Sequence, residues 1–312
     1  MRKTFIDELI NKNIEEQNIV VLTGDVGRST YASKFKEIFP ENYLNLGICE
    51  ANLGICEANI VGISAGIAGT LEFVPFVMLF SKHLILRALE QINDSILMNK
   101  KKVILVGGYS GYSASKEGET HQLLNDISIL SSFPDISIYC PYDQSSIQTA
   151  INESINNDYS SYIRINKNKI LNDVVSRYIS QGNKSIIISM GYLGSLLSKK
   201  YMEDSDIREF ADFILVSKIK PIDWEYWENF LRKYETVYII EENTLTGGLG
   251  EQFKNYFFGL GINIISFGIK PHFGETGDYE TLLTNEGLSP DKIFEKIRRI
   301  NHVQSSEKSI WR

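Results

Sequence analysis

The chain has 312 residues, 43% hydrophobic and 23% charged, with a formal net charge of −7. This balance excludes a disordered chain and a basic, nucleic-acid-binding surface, and no segment reaches the roughly 20 uninterrupted apolar residues of a membrane span. A chain this long buries one large or two ordinary cores; two domains are expected, and the polar start Met1-Arg2-Lys3-Thr4, without a signal-peptide apolar region, points to a cytoplasmic protein. Cys49, Cys56 and Cys140 suggest buried thiols, neither a disulfide framework nor a zinc site.

A helical pattern (Phe5, Leu9, Ile10, Ile14) leads into the apolar run Ile19-Val20-Val21-Leu22, which ends in the loop Thr23-Gly24-Asp25-Val26-Gly27. The alternation then repeats: helix 59–69, strand Phe73 to Val77, helix 82–98, strand Val103 to Val106, a Gly/Ser loop, helix 122–132, strand Ile136 to Tyr139 and helix 144–156. Strands alternating with helices predict an α/β fold with a parallel sheet covered on both faces. Ligands bind such sheets outside the carboxyl ends of the strands, here the loops 23–30, 78–81 and 107–121. After a polar connection from Asn166 to Asn183, a smaller α/β unit follows: strands at Ser185 to Ser189, Phe213 to Val216, Val237 to Ile240 and Ile262 to Phe267, with helices 223–234 and 249–258. The boundaries are set at 1–172 and 173–312, and Gln304 to Arg312 reads as a non-periodic tail or partner contact.

The heptapeptide Leu46-Gly47-Ile48-Cys49-Glu50-Ala51-Asn52 is repeated at once as Leu53 to Asn59 and leads into a helix rich in small residues. A Glu at the start of such a helix is buried with it and needs a partner; stabilisation by the helix dipole is the structural alternative. Glu57 is in frame with the downstream helix, while Glu50 offers the same local sequence. The Gly24-Asp25-Val26 segment lacks a Gly-rich cradle for phosphate, so a phosphorylated cofactor would need its phosphates held elsewhere. The long loop Gly107 to Gln122 carries acids, hydroxyls and His121, one of four histidines; loops of this length after a strand are usually functional.

Taken together and in order, Asp25-Val26-Gly27-Arg28-Ser29, Asn52 to Ile63, Pro75 to Phe80, Leu86 to Ile92, Gly118-Glu119-Thr120-His121-Gln122, Glu241-Glu242-Asn243 with Gly247 to Gly250, and Phe273 to Gly277 resemble the C-terminal half of transketolases. The resemblance covers almost the whole chain and is closest to the free-standing C-terminal subunit of split transketolases. It implies a pyrimidine-binding domain followed by a transketolase C-terminal domain, and thiamine diphosphate as cofactor, with Mg2+ or Ca2+ held by an N-terminal-half partner in an α2β2 assembly. Glu57 then matches the glutamate that hydrogen-bonds the aminopyrimidine, Phe80 the aromatic stacked on it, and His83 stands where a second aromatic is usual; Asp25 is a further candidate cofactor contact. His121 matches the substrate-facing histidine, and Arg2, Ser29 and Lys167 match positions that hold the sugar phosphate.

Three positions depart from the family pattern. Tyr109 replaces a histidine that often helps bind the donor, Glu117 an aspartate that reads a sugar hydroxyl, and Glu119 a small residue or proline. A bulkier phenol and a longer acid reshape the sugar pocket, which points to an unusual sugar phosphate or a nucleotide-linked sugar as substrate. The alternatives are a deoxyxylulose phosphate synthase-like or oxo-acid dehydrogenase β-type subunit and a non-catalytic structural or regulatory paralogue.

Overall fold

The computed structural model describes residues 1–47, 55–171 and 178–310, the side chains of 302–310 excepted. Among the described residues, two sheets are built from twelve strands: β1 (Ile19–Thr23), β2 (Tyr43–Asn45), β3 (Val74–Phe80), β4 (Ile104–Gly108), β5 (Ile136–Tyr139), β6 (Ser160–Ile165), β7 (Tyr178–Ile179), β8 (Ser185–Met190), β9 (Ala211–Val216), β10 (Lys218–Lys220), β11 (Thr236–Thr244) and β12 (Asn263–Ile269). The first sheet has the order β10-β5-β6-β4-β3-β1-β2 and the second β12-β11-β8-β9-β7. All pairings are parallel except the two edges, β10 on β5 and β7 on β9.

The apolar runs explain the layering. In β1, Ile19 and Val21 point to one face, where helix Arg2–Glu16 buries Phe5, Ile6 and Leu9 beside Ile147 and Ile151 of helix Gln144–Asn156. Val20 and Leu22 point to the other face, against Ile60 and Val61 of helix Ile55–Thr70 and Leu84 and Ile85 of helix Ser81–Gln91. This is the period-two alternation of a strand covered on both sides. Helix Ile55–Thr70 joins β2 to β3, so the chain reverses its direction of travel across the sheet between β1 and β3, and the crevice at that switch point lies outside their carboxyl ends.

The structure departs from the expected elements at several places. Helix 122–132 is shorter, Asp126–Ser131, because the preceding residues are drawn into other contacts: Leu123 pairs its backbone with Gly111, and the Leu124 carbonyl accepts from Thr244 N–H at 2.7 Å. Helix 82–98 is broken by non-helical dihedrals at Ala88 and continues as a π-helical turn, Ile92–Leu97. The last helix runs Pro290–Ile310, so most of the expected C-terminal tail continues it. The 172/173 boundary lies outside the described residues, as do Glu50 and Cys49. Strand β10, in the second half of the sequence, crosses back to the edge of the first sheet. No helix among the described residues is long and apolar enough to cross a membrane.

The two layers are fastened through one buried guanidinium. Arg164 on β6 donates from Nε to Asp126 Oδ2 at 2.8 Å and from Nη2 to the Glu242 carbonyl of β11 at 2.8 Å. Tyr162 gives its hydroxyl to the same Asp126 Oδ2 at 2.7 Å. The Glu242 carboxylate accepts Tyr112 N–H at 2.6 Å and the Tyr279 hydroxyl at 2.7 Å. Burial pushes the Glu242 carboxyl up, with Arg164 opposing. Gly111, at φ 59, passes so close to this carboxylate that a β-carbon would overlap it.

Breaking a buried pair from one side strands the other charge, at about 3–5 kcal/mol. Arg164→Leu should lower the unfolding free energy by that amount in urea denaturation followed by circular dichroism. Lys218→Ala, which removes the exposed Lys218–Glu153 pair, should cost less than about 1 kcal/mol.

Candidate active site

Glu57 lies in the first turn of helix Ile55–Thr70 and is 8% exposed. Arg87 Nη1 donates to its Oε1 at 2.6 Å, and His83 Nδ1 stands 3.9 Å from the same oxygen. Both partners come from helix Ser81–Gln91, where a spacing of four residues puts them on one face. Among the described residues, Oε2 takes no hydrogen bond, so the carboxylate can still meet a polar ring from outside the chain.

Phe80 ends β3 and packs against three rings: His83 and His121 with centroids at 5.7 Å each, and Tyr109 at 4.6 Å. His83 and His121 lie 5.1 Å apart. Burial, reinforced by Arg87 and by His121, lowers the His83 imidazole to about 4. Burial also lowers His121, with Glu117 opposing and Arg87, Lys82 and Lys167 adding to the shift. Both rings are therefore neutral at pH 7. The Thr120 hydroxyl lies 3.2 Å from the Glu117 carbonyl and 2.9 Å from His121 Nδ1; in the tautomer in which it donates to that carbonyl it accepts Nδ1–H, and Nε2 of His121 is left as an acceptor.

Tyr109 follows β4 with φ 57, a left-handed conformation that costs a bulky residue on the order of 1–3 kcal/mol. Its surroundings hold it there. Arg2 Nη1 bonds its hydroxyl at 2.8 Å, the Arg2 guanidinium carbon sits 4.6 Å from the ring centroid, and Lys167 Nζ lies 4.7 Å from the centroid. Arg2 also donates to the Ser29 carbonyl and, at 3.3 Å, to that of Lys167. Lys167 Nζ in turn bonds Glu117 Oε1 at 2.8 Å; burial opposes the ionisation of Glu117, but Lys167 outweighs it and the carboxyl is lowered.

Of the residues singled out in the sequence, Glu57, Phe80, His83, Tyr109, His121, Arg2, Lys167 and Glu117 thus form one chain of contacts at the strand ends, with Ser29 touching it through its carbonyl. Asp25 is not brought in: it is exposed, at φ 55, and its backbone N–H bonds Asn45 Oδ1 at 2.9 Å. Glu119 is turned aside, held by Lys82 Nζ at 2.6 Å and by Gly274 N–H. Sequence reasoning passed over Arg87 and Lys82. The buried Glu57 called for a cation, and Arg87, four residues beyond His83, was the available signal.

Residues 1–171 match the transketolase pyrimidine binding domain. The chain belongs to the transketolase family. That family depends on thiamine diphosphate. A Methanocaldococcus jannaschii protein named as a transketolase C-terminal section is 27% identical over 321 residues, with 95% of each chain covered. The 1-deoxy-D-xylulose-5-phosphate synthase of Fusobacterium nucleatum is 24% identical over 96% of this chain; the chain spans 50% of that relative's length. Among solved structures, a split-gene transketolase described as an inactive β4 tetramer superposes with a TM-score of 0.81 at 25% identity, covering 96% of this chain and 97% of that one. Campylobacter jejuni transketolase shares the fold, with a TM-score of 0.75 at 18% identity over 96% of this chain and 46% of its own.

The depressed His83 carries a stability signature. Its folded pKa lies below the unfolded value of 6.5, so the unfolded chain takes up the proton first as pH falls. The stabilisation is fully present above about pH 6.5 and is lost as pH drops towards 4, on the order of 3 kcal/mol. His83→Phe should therefore show a smaller drop in unfolding temperature than the parent between pH 7 and pH 4.5, measured by thermal denaturation.

Proposed function

We propose that this chain is the C-terminal, pyrimidine-binding subunit of a split thiamine-diphosphate-dependent transketolase, moving a two-carbon ketol unit between sugar substrates. The observation that carries the reading is the convergence, at the carboxyl ends of β1, β3 and β4, of a buried Glu57 with Phe80, two neutral imidazoles and a cationic rim. Those residues fit the aminopyrimidine end of the cofactor: a carboxylate with one oxygen unspent beside an apolar ring face. Its diphosphate and Mg2+ or Ca2+ belong on a partner chain, a transketolase N-terminal subunit, in an α2β2 assembly. Bound there, the cofactor supplies the carbanion chemistry.

Each residue then has a task. Glu57 shares a proton with the pyrimidine ring nitrogen, and Arg87 keeps the carboxylate in place; general acid–base help of this kind is worth about 10²–10⁴-fold. Phe80 supplies a stacking face, with His83 as the second wall. His121, neutral and with Nε2 as acceptor, takes a proton from a substrate hydroxyl. Arg2, Ser29 and Lys167 contact the substrate on the way to its anionic end, and Tyr109 and Glu117 shape the space between. Asp25, exposed beyond β1, is a contact for the cofactor where the partner chain covers it.

A deoxyxylulose phosphate synthase type of reaction is the second reading, motivated by the several relatives that carry that name. The chain should be co-expressed with an N-terminal-half partner and assayed for transfer from ketose donors and from pyruvate. Ketose-dependent activity only in the mixture, reduced about 10²-fold or more by Glu57→Gln, is expected. Release of CO2 from pyruvate would instead select the synthase reading, and full activity in Glu57→Gln would count for a non-catalytic role of this chain.

A further inference from the structure

Arg2 and Lys167 also line a cleft between the two layers, with a volume of about 1010 Å3. Lys3, Lys116 and Lys169 line it beside Arg2 and Lys167; facing them are Tyr192, Tyr279 and the two carboxylates Asp278 and Glu280. In a chain of net charge −7, five cationic side chains on one cleft make a local positive field, which concave low-dielectric walls focus on anions.

These cations fall into two groups. Arg2 and Lys167 are spent within the chain, on Tyr109 and on Glu117, and the Tyr109 ring lies between them. Lys3, Lys116 and Lys169 are exposed and make no ion pair or side-chain hydrogen bond among the described residues. An anionic group that avoids the space filled by Tyr109 therefore meets its unspent partners farther out, in the cleft. The cleft is at the upper end of the volumes that enclose drug-sized ligands, larger than a pentose phosphate requires, and Tyr31, Tyr192 and Tyr279 add ring surface next to the lysines.

Building on the ketol-transfer reading, we infer that this cleft binds a diphosphate at the end of the substrate remote from its reacting carbonyl. Lys116 and Lys169 engage the phosphoryl oxygens as point charges, and the tyrosines stack on a base where the diphosphate is nucleoside-linked. The same chemistry is offered by a bare diphosphate and by a nucleoside-diphosphate-linked sugar.

The test is isothermal titration of the full chain, free of metal and thiamine diphosphate, with inorganic pyrophosphate, UDP-glucose and ribose 5-phosphate at about 0.15 M salt. Pyrophosphate and UDP-glucose should bind about tenfold or more tightly than ribose 5-phosphate. The double variant Lys116→Ala/Lys169→Ala should lose about tenfold for both diphosphates, about 1.4 kcal/mol, and less than about twofold for ribose 5-phosphate. UDP-glucose binding more tightly than pyrophosphate, with Tyr192→Ala erasing the difference, assigns a nucleoside-linked ligand; equal binding assigns the bare diphosphate. Equal affinity for all three probes, or unchanged diphosphate binding in a double variant that unfolds at the parent temperature, overturns the inference. No ketol transfer is measured, so such a result leaves the enzymatic reading standing, whereas an inactive reconstituted complex that still binds diphosphate through Lys116 and Lys169 counts against that reading alone.

Discussion

One buried cation organises this protein. Arg164 is 6% exposed, and its guanidinium is shared between Asp126 of the first layer and the backbone of Glu242 in the second. A charge taken out of water at this depth persists only with its hydrogen-bonding capacity met. Asp126 is its carboxylate partner, and the Glu242 carboxylate adds its charge from beside it; those two carboxylates in turn recruit Tyr162, Tyr279 and the Tyr112 N–H. The loop from Tyr109 to Gln122, long and short of regular structure, is thus clamped at Tyr112 by the second layer. It is tied again where Gln122 Nε2 donates to the Glu275 carbonyl at 2.8 Å and Gly277 N–H to that of Ser115 at 3.0 Å. The second layer accordingly takes part in positioning the site without contributing a side chain to the Glu57 cluster.

Pre-positioning explains why so many site groups are already paired. Glu57 has Arg87, Lys167 has Glu117, Glu119 has Lys82, and Tyr109 lies between two cations. Each pairing fixes a rotamer and balances charge in a pocket where burial holds both imidazoles neutral. Glu119, an acid where the family pattern has a small residue or proline, is neutralised and turned towards Gly274. The rim is therefore more cationic than the list of loop residues implies, and the charge left unspent lies outward, on Lys3, Lys116 and Lys169.

Strands were legible because an apolar run of four or five residues bounded by Gly or Asp admits little else: β1, β5 and β8 fall within a residue of their expected limits. Helix 144–156 matches the observed Gln144–Asn156, where Asp143 and Ser146 form a capping box, a purely local device. Local pattern failed where long-range hydrogen bonds compete. Gln122 to Asn125 have helical composition, yet Leu123 pairs with Gly111 and Leu124 with Thr244. Strand β10 is three residues long and exists only because β5 offers an open edge.

The sequence by itself determined the α/β class, the order of elements and the family, since periodicity and an ordered set of motifs survive without knowledge of contacts. It also singled out Glu57, Phe80, His83, Tyr109 and His121 before any geometry was known. Tertiary structure alone decided which charges compensate which: that Arg87 answers Glu57, that Glu117 consumes Lys167, and that Lys116 and Lys169 remain facing a cleft. Pairing of charges depends on distances of a few ångströms between residues 30 to 80 positions apart, and nothing in a linear pattern encodes those distances until the sheet has closed and the cost of desolvation has selected the partners.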